Sequence, residues 1–504
     1  MKQRTLYSIA TILLCSSIYA QEVPVPNAEE FLPGPPTKLT TVSEVNQYIK
    51  DYLEYEWGKT ERDTELGAQA KEDFLAKTAN YLSAFSKVVG IELSAANTPN
   101  IYTLFDYCTT YGEKAQAKAQ ASYFYRRPYA RFNQTTLMPA YEDTYRNISS
   151  YPSSQAMMGW LFAMMLTEVC PDKQNEVLAR GYEYGTSSVI SGYHWDSDSY
   201  AGCLLASALV SRLHSHPGFN AMIQSAITEY EKKSGVTNSK RSTVADSYFT
   251  EEELPDGYKY LPVPPSNSSN VFTTDLSQHI EGIKKRTTEE GEIARQDVDD
   301  SAEYYCKIFS QVLGKTFSQT ASPQLYKLFK TIYPSAVDAT QSCKAYYKRL
   351  RPFVQLYEST ATGGTPENDP LRNNGSYPSG HACAGWLYAL VMAEIAPDYE
   401  EALLNRAFKY GNGRVITGYH WQSDVDMGRL AGAAVYARMH TNKDFMEQLE
   451  RATEEYKNGG SGVRAVQADE HAEARIYNLE GVQLNGKPTR PGIYIQGNKK
   501  VVYP

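Results

Sequence analysis

Gly385-Trp-Leu-Tyr-Ala-Leu-Val-Met-Ala-Glu-Ile-Ala396 carries one charge, Glu394, in twelve residues. A surface helix keeps one face polar, so a stretch this apolar reads as a helix buried on all sides. Further on, Leu430-Ala-Gly-Ala-Ala-Val-Tyr-Ala-Arg-Met439 is rich in small residues, as expected where helix backbones pack closely. Few runs alternate as half-buried strands do, so the main body is predicted to be all-α, built as helical bundles. The texture changes after Gly459-Gly-Ser-Gly462. Ala474-Arg-Ile-Tyr-Asn-Leu-Glu-Gly481 and Gly492-Ile-Tyr-Ile-Gln-Gly-Asn-Lys-Lys-Val-Val-Tyr503 alternate and carry glycine turns, which predicts a small β segment over residues 473–504.

Outward from this core the chain repeats itself, and a repeat governs the fold. Phe31-Leu-Pro-Gly-Pro-Pro36 returns as Tyr260-Leu-Pro-Val-Pro-Pro265, and Thr98-Pro-Asn-Ile-Tyr-Thr-Leu-Phe105 as Ser322-Pro-Gln-Leu-Tyr-Lys-Leu-Phe329. Ser150-Tyr-Pro-Ser153 returns as Ser376-Tyr-Pro-Ser379, and Val189-Ile-Ser-Gly-Tyr-His-Trp-Asp-Ser-Asp198 as Val415-Ile-Thr-Gly-Tyr-His-Trp-Gln-Ser-Asp424. Four collinear matches at nearly constant spacing are read as a tandem duplication of one domain of about 200 residues. The expected organisation is a first copy over 31–235, a polar linker over 236–258 and a second copy over 259–458.

Composition narrows the function. With 50 Lys and Arg against 58 Asp and Glu, the chain is acidic and has no basic block, which argues against nucleic acid as a partner. No apolar run reaches the roughly 18–20 residues of a membrane span. Aromatic residues make up 12%, too many for a disordered chain. Residues 1–20 read as a secretory signal peptide: Lys2 and Arg4, an apolar run from Leu6 to Leu14, a small residue at Ala20, and no acidic residue before Glu22. Their removal takes the net charge from −8 to −10. Six cysteines remain, and their spacing suits buried thiols as well as it suits disulfides.

Three clusters in the second copy carry chemistry. Lys344, Tyr347, Arg349, Arg351 and Pro352 form the first; Lys344 and Arg351 are seven apart, so on one continuous helix they would share a face, with Pro352 ending it. Two fixed cations suit a multiply charged anion, although alone the cluster is also an ordinary solvated basic face. Pro378-Ser-Gly-His381 precedes the apolar helix, so Ser379 and Gly380 offer backbone amides to an oxyanion and His381 a proton to a leaving group. Alone, Ser379 is also an ordinary N-cap. Gly413-Arg414 is followed by His420 and Asp424, which on a helix would face each other and suit a histidine nucleophile oriented by a carboxylate. Two histidines without further ligands do not complete a zinc set.

Together, Lys344-x6-Arg351-Pro352, Pro378-Ser-Gly-His381 and Arg414-x5-His420-x3-Asp424 resemble the signature of the type 2 phosphatidic acid phosphatase (PAP2) superfamily. Gly375-Ser-Tyr-Pro-Ser-Gly-His381 and Arg414-Val-Ile-Thr-Gly-Tyr-His-Trp-Gln-Ser-Asp-Val-Asp426 are similar to bacterial class A non-specific acid phosphatases. Gly413 departs from the family, which has serine there. The resemblance implies that His420 attacks phosphorus, Asp424 orients it and His381 protonates the leaving group. Lys344, Arg351, Arg414 and the Ser379 and Gly380 amides would hold the phosphoryl oxygens, with no metal and no cofactor. The first copy has Gln120, Ser154, Gln155 and Ser188 where the second has Lys344, Gly380, His381 and Arg414, while Arg127, Pro128, Ser153, His194 and Asp198 persist. It is therefore expected to be catalytically silent, kept as a packing partner or weak ligand site.

The tail from Ile476 resembles C-terminal segments of exported Bacteroidota proteins, some of them sorting signals. The expectation is an exported acid phosphatase, periplasmic or at the outer surface or secreted, acting on phosphomonoesters. The copies are expected to pack on each other, and a homo-oligomer stays open. Two other readings stay open on these residues: a vanadate-dependent haloperoxidase, since related enzymes hold vanadate in a similar cage, and a non-catalytic phospholigand-binding protein.

Overall fold

The computed structural model describes residues 23–74, 77–236 and 246–459, and four short C-terminal segments within 476–503. The signal-peptide reading of residues 1–20 lies outside the described residues. The main body is all-α. In the first half the principal helices are α1 (Val42–Thr60), α2 (Glu65–Asp73), α3 (Thr78–Val89), α4 (Pro99–Ser122), α5 (Ser154–Val169), α6 (Gln174–Ile190), α7 (Asp196–His214) and α8 (Pro217–Ser234). The second half runs through α9 (Phe272–Lys285), α10 (Glu289–Gln296), α11 (Ala302–Leu313), α12 (Pro323–Asp338), α13 (Gln341–Tyr347), α14 (Gly380–Ile395), α15 (Glu400–Thr417), α16 (Gln422–Met439) and α17 (Lys443–Lys457).

The apolar stretch that opened the sequence reading is α14, buried from Ala382 to Ile395, and α5 is buried from Gln155 to Val169 in the same way. Glycine lets α16 approach the start of α14: a Cβ on Gly428 would lie 2.5 Å from the Ser379 carbonyl oxygen. Each half is strapped by its proline-rich segment. The Tyr151 hydroxyl donates to the Pro33 carbonyl, and the Tyr377 hydroxyl to the Pro262 carbonyl at 2.5 Å.

Where the first half has the single helix α4, the second has α12 and α13, separated at Ala339 and Thr340. A second break, after α13, corrects one expectation. Lys344 lies on α13, which ends at Tyr347, and Lys348 turns left-handed with φ 46°. Arg351 is extended and caps a new turn, Pro352–Gln355, so Pro352 starts a helix rather than ending one. Lys344 and Arg351 meet by tertiary folding and not by helical spacing.

Helix α7 packs on α14, α5 on α16, and α1 on α9. Trp386 Nε1 donates to Ser207 Oγ at 3.1 Å, Ser211 Oγ to the Leu390 carbonyl at 2.8 Å, and Arg212 Nε to Glu400 Oε2 at 2.6 Å. At the end of this seam the His214 and His440 rings stack, with centroids 4.0 Å apart and planes 25° apart. His214 Nε2 lies 2.9 Å from Glu168 Oε1, and His440 Nε2 lies 3.0 Å from Glu394 Oε2. One ligand atom each from Glu168, His214 and His440 lie within 4.8 Å of one another, with each imidazole already against a carboxylate. Residues 246–258 also enter this packing, burying Tyr248, Phe249 and Leu254.

The six cysteines Cys108, Cys170, Cys203, Cys306, Cys343 and Cys383 are buried free thiols. In the C-terminal stretch β1 (Ile476–Tyr477), β2 (Gln483–Leu484), β3 (Gly492–Gln496) and β4 (Lys499–Tyr503) pair antiparallel in the order β2-β1-β3-β4. Among the described residues no helix is long and apolar enough to cross a membrane.

Candidate active site

The residues singled out in the second half converge where the end of α13, the start of α14, the end of α15 and the turn into α16 meet. That turn is forced at Gly418, whose φ of 85° ends α15 and whose missing Cβ leaves room for the Arg286 guanidinium. The turn carries His420 to the edge of α16, which begins after the N-cap Trp421. Asp424 is the third residue of α16, so it does not share a helical face with His420. Its Oδ2 accepts from the Trp421 amide at 2.9 Å, which fixes the carboxylate 3.4 Å from His420 Nδ1.

The tautomer of His420 follows from its neighbours. Arg351 Nη1 is 3.0 Å from His420 Nε2, and arginine only donates, so Nε2 is the acceptor and the ring proton sits on Nδ1, toward Asp424. The ring presents its Nε2 lone pair among cations, while Nδ1, buried and without a hydrogen-bond partner, lies 3.4 Å from Asp424 Oδ2. Burial, then Arg351, Lys344, Arg414 and His381, push the His420 pKa well below its ordinary value, so Nε2 is unprotonated.

The cations are held by backbone. Lys344 Nζ donates to the Pro378 carbonyl at 2.5 Å and the Gly375 carbonyl at 3.2 Å. Arg351 donates to the Asn374 and Tyr419 carbonyls at 3.0 and 3.2 Å. Arg414 lies 4.5 Å from the Tyr419 ring centroid and is 1% exposed, yet its Nε and Nη1 have no hydrogen-bond partner. Buried donors without acceptors are costly, and two such donors side by side are able to hold an anion. Burial and the mutual proximity of the cations bring Lys344 down to about 7 and Arg351 to about 10. A bound phosphoryl dianion reverses that strain on the charged forms.

Ser379 caps α14, its Oγ accepting from the Ala382 amide at 3.3 Å, while its own amide donates to the Asp424 carbonyl at 2.9 Å. It therefore braces the helix against the turn that carries His420, and the open amides of the first helical turn begin at Gly380. His381 Nε2 lies 3.0 Å from the Val298 carbonyl, which only accepts, so the proton His381 can give away is the one on Nδ1. Burial, followed by Arg414, holds the His381 pKa well below its ordinary value in the absence of an anion.

Two residues outside the motif complete the arrangement. Arg349 Nη1 donates to Asp424 Oδ1 at 2.6 Å, and its Nη2 to Asp275 Oδ2 at 2.7 Å. Arg349 stood in the first cluster without a role, and Asp275 lies on α9, about 150 residues from Asp424 in the chain. The available signal was the comparison of the halves, where Asp275 matches Asp51 and Arg349 faces Tyr125.

The chain is similar to known proteins. Residues 308–445 match the PAP2 superfamily. The non-specific acid phosphatase of Providencia stuartii is 39% identical over 210 residues, 42% of this chain and 84% of that protein. The chain belongs to this acid phosphatase family. The non-specific acid phosphatase of Salmonella typhimurium strain LT2 is 38% identical over 210 residues, 41% of this chain and 83% of the relative. The acid phosphatase of Zymomonas mobilis is 29% identical over 244 residues, 47% of this chain and 90% of the relative. The recognised domain includes Lys344, Arg351, His381, Arg414, His420 and Asp424, so the acid phosphatase family resemblance and the geometry fall on the same helices.

In the first half the corresponding place is built differently. His194 Nε2 lies 3.2 Å from Arg127 Nη1, but His194 Nδ1 lies 2.9 Å from the Ser150 carbonyl, and Asp198 is 3.7 Å away. Gln155, at the position of His381, donates to the Asp73 carbonyl at 2.9 Å. Ser188, at the position of Arg414, bonds Ser153 and Ser199. Phe74 packs on Tyr193 at 4.6 Å and on Tyr141 at 5.3 Å, adding apolar cover in this region.

Proposed function

We propose that the second half hydrolyses phosphomonoesters through a phosphohistidine on His420. The observation that carries this is the unprotonated Nε2 of His420 among Arg351, Lys344 and the unpartnered donors of Arg414. In the first step the bound phosphoryl dianion favours the cationic form of His381, with protons on both nitrogens; the Nε2 lone pair of His420 attacks phosphorus, the P–O bond to the alcohol breaks, and the departing oxygen takes the Nδ1 proton of His381, leaving it neutral. As Nε2 bonds phosphorus the imidazole becomes cationic, and Asp424 balances it through Nδ1–H. In the second step His381 takes a proton from water, the water oxygen attacks phosphorus, the P–N bond breaks and inorganic phosphate leaves. Lys344, Arg351, Arg414 and the Gly380 amide stabilise the equatorial oxygens, where charge spreads in phosphoryl transfer.

The first half serves in this reading as a silent copy and packing partner. The basic, apolar start of the chain supports export, to the periplasm, the outer surface or the medium. Hydrolysis of p-nitrophenyl phosphate with chelator present tests the chemistry. The wild type is expected to turn over, and His420→Ala in the full chain to lose activity to background. Residual phosphatase turnover in His420→Ala would show either a different nucleophile or an active first half, and a further His194→Ala change separates the two.

A further inference from the structure

Asp424 is buried, and a buried carboxylate keeps its charge only if something balances it. The groups facing it are His420 from the preceding turn, Lys344 from α13, Arg351 and Arg349 from the segment after it, and Tyr377 before α14, with Asp275 of α9 behind Arg349. Among the described residues, only Arg349 touches Asp424 Oδ1 in charge-assisted geometry, at 2.6 Å. Asp275 holds Arg349 from the other side and accepts the Ser423 amide at 2.9 Å, tying the guanidinium to the first turn of α16.

The first half supplies the internal comparison. Asp51 accepts from the Ser197 amide at 2.8 Å, as Asp275 does from Ser423, and Asp198 accepts from the Trp195 amide at 2.8 Å, as Asp424 does from Trp421. The arginine between the carboxylates is replaced by Tyr125, whose hydroxyl reaches Asp51 at 3.3 Å. Asp198 Oδ1 is left buried without a partner. Burial then pushes Asp198 up to about 7 and Asp51 to about 8.

We propose that Arg349 is a positioning residue of the phosphatase site, which by bridging Asp424 and Asp275 keeps Asp424 ionised and aimed at His420 Nδ1, and that its replacement by Tyr125 is a fifth change silencing the first half. This rests on the reading of His420 as nucleophile, because an ionised Asp424 matters where the phosphorylated imidazole must be balanced.

The test is the pH dependence of kcat in the full chain with p-nitrophenyl phosphate. Arg349→Tyr places the first-half residue between the two carboxylates. Without the guanidinium the buried Asp424 carboxyl is expected to protonate more readily as pH falls, so the activity lost relative to wild type is expected to be several-fold larger at pH 5 than at pH 7. Arg349→Lys, which keeps the charge, is expected to restore the wild-type profile with a smaller uniform loss. A loss in Arg349→Tyr that is equal at both pH values overturns the proposal. Should Arg349→Tyr fail to fold, Arg349→Gln removes the charge with less change in shape, and an unmoved acid limb in that variant overturns it equally. Failure of the underlying reading looks different: wild-type enzyme mixed with substrate and quenched in base would yield no phosphohistidine.

Discussion

At the scale of single residues, the site is a set of cations held at the cost of their own charged forms. For Lys344 the sign is direct. With its pKa brought down to about 7, it is charged below that pH and neutral above it, so the free enzyme loses one phosphate-binding charge as pH rises through 7. The profile of kcat/KM is therefore expected to fall on its basic side with a midpoint near 7. Lys344→Met is expected to lower kcat/KM by about 100-fold and to abolish that limb, since it removes one donor to the developing charge. A basic limb that persists unchanged in Lys344→Met would assign the titration to another group. His420, His381, Arg414, Lys344, Arg351 and Asp424 were legible as a motif because the chemistry restricts residue type at each position. Arg349 and Asp275 were not, because their role is to balance a charge, and charge balance is a property of who is buried beside whom.

At the scale of helices, the approach of α16 to α14 decides where the nucleophile's turn stands relative to Gly380 and His381. Alanine favours a helix over glycine by about 1 kcal/mol, so Gly428→Ala is intrinsically favourable. Against this, the new Cβ would lie 2.5 Å from the Ser379 carbonyl and 2.9 Å from the Ala382 Cβ. The nearest obstacle is backbone and cannot rotate aside, and overpacking of this kind costs about 1–3 kcal/mol. The clash is expected to win. Gly428→Ala should unfold at lower urea and lose activity as well, because Ser379 leads directly into the catalytic turn; a urea midpoint above wild type would refute this. The buried character of α14 was readable from its composition. The break after α13 was not, since Lys344-x6-Arg351 has the spacing of a continuous helix and only the left-handed Lys348 and extended Arg351 interrupt it.

At the scale of the molecule, the two halves meet along α5, α7, α14 and α16, and one buried pair makes that seam responsive to pH. Burial alone would lower the His214 pKa, but the Glu168 carboxylate 2.9 Å away outweighs it and raises the value to about 9. A histidine whose pKa is raised on folding contributes stability in full below its unfolded value of 6.5, and that contribution disappears as pH rises through 9. The difference corresponds to about 3 kcal/mol. Urea stability of the whole chain is expected to decline between pH 6.5 and 9, and His214→Gln to be less stable at pH 6.5 with a flatter dependence. An equal slope in the variant would place the pH dependence elsewhere.

Pattern and residue identity were enough to give the all-α class, the buried helices and the family motif, because periodicity, apolar content and reactive groups are local properties of the chain. Folding was needed to bring Lys344 and Arg351 together across a broken helix, to set the protonated nitrogen of His420 and to commit the Ser379 amide to Asp424. It was needed also to reveal Arg349 as the counter-charge of Asp424 and to stack His214 on His440. Each of these depends on contacts between segments far apart in the chain, where burial and the neighbouring charge, rather than spacing, determine what a side chain does.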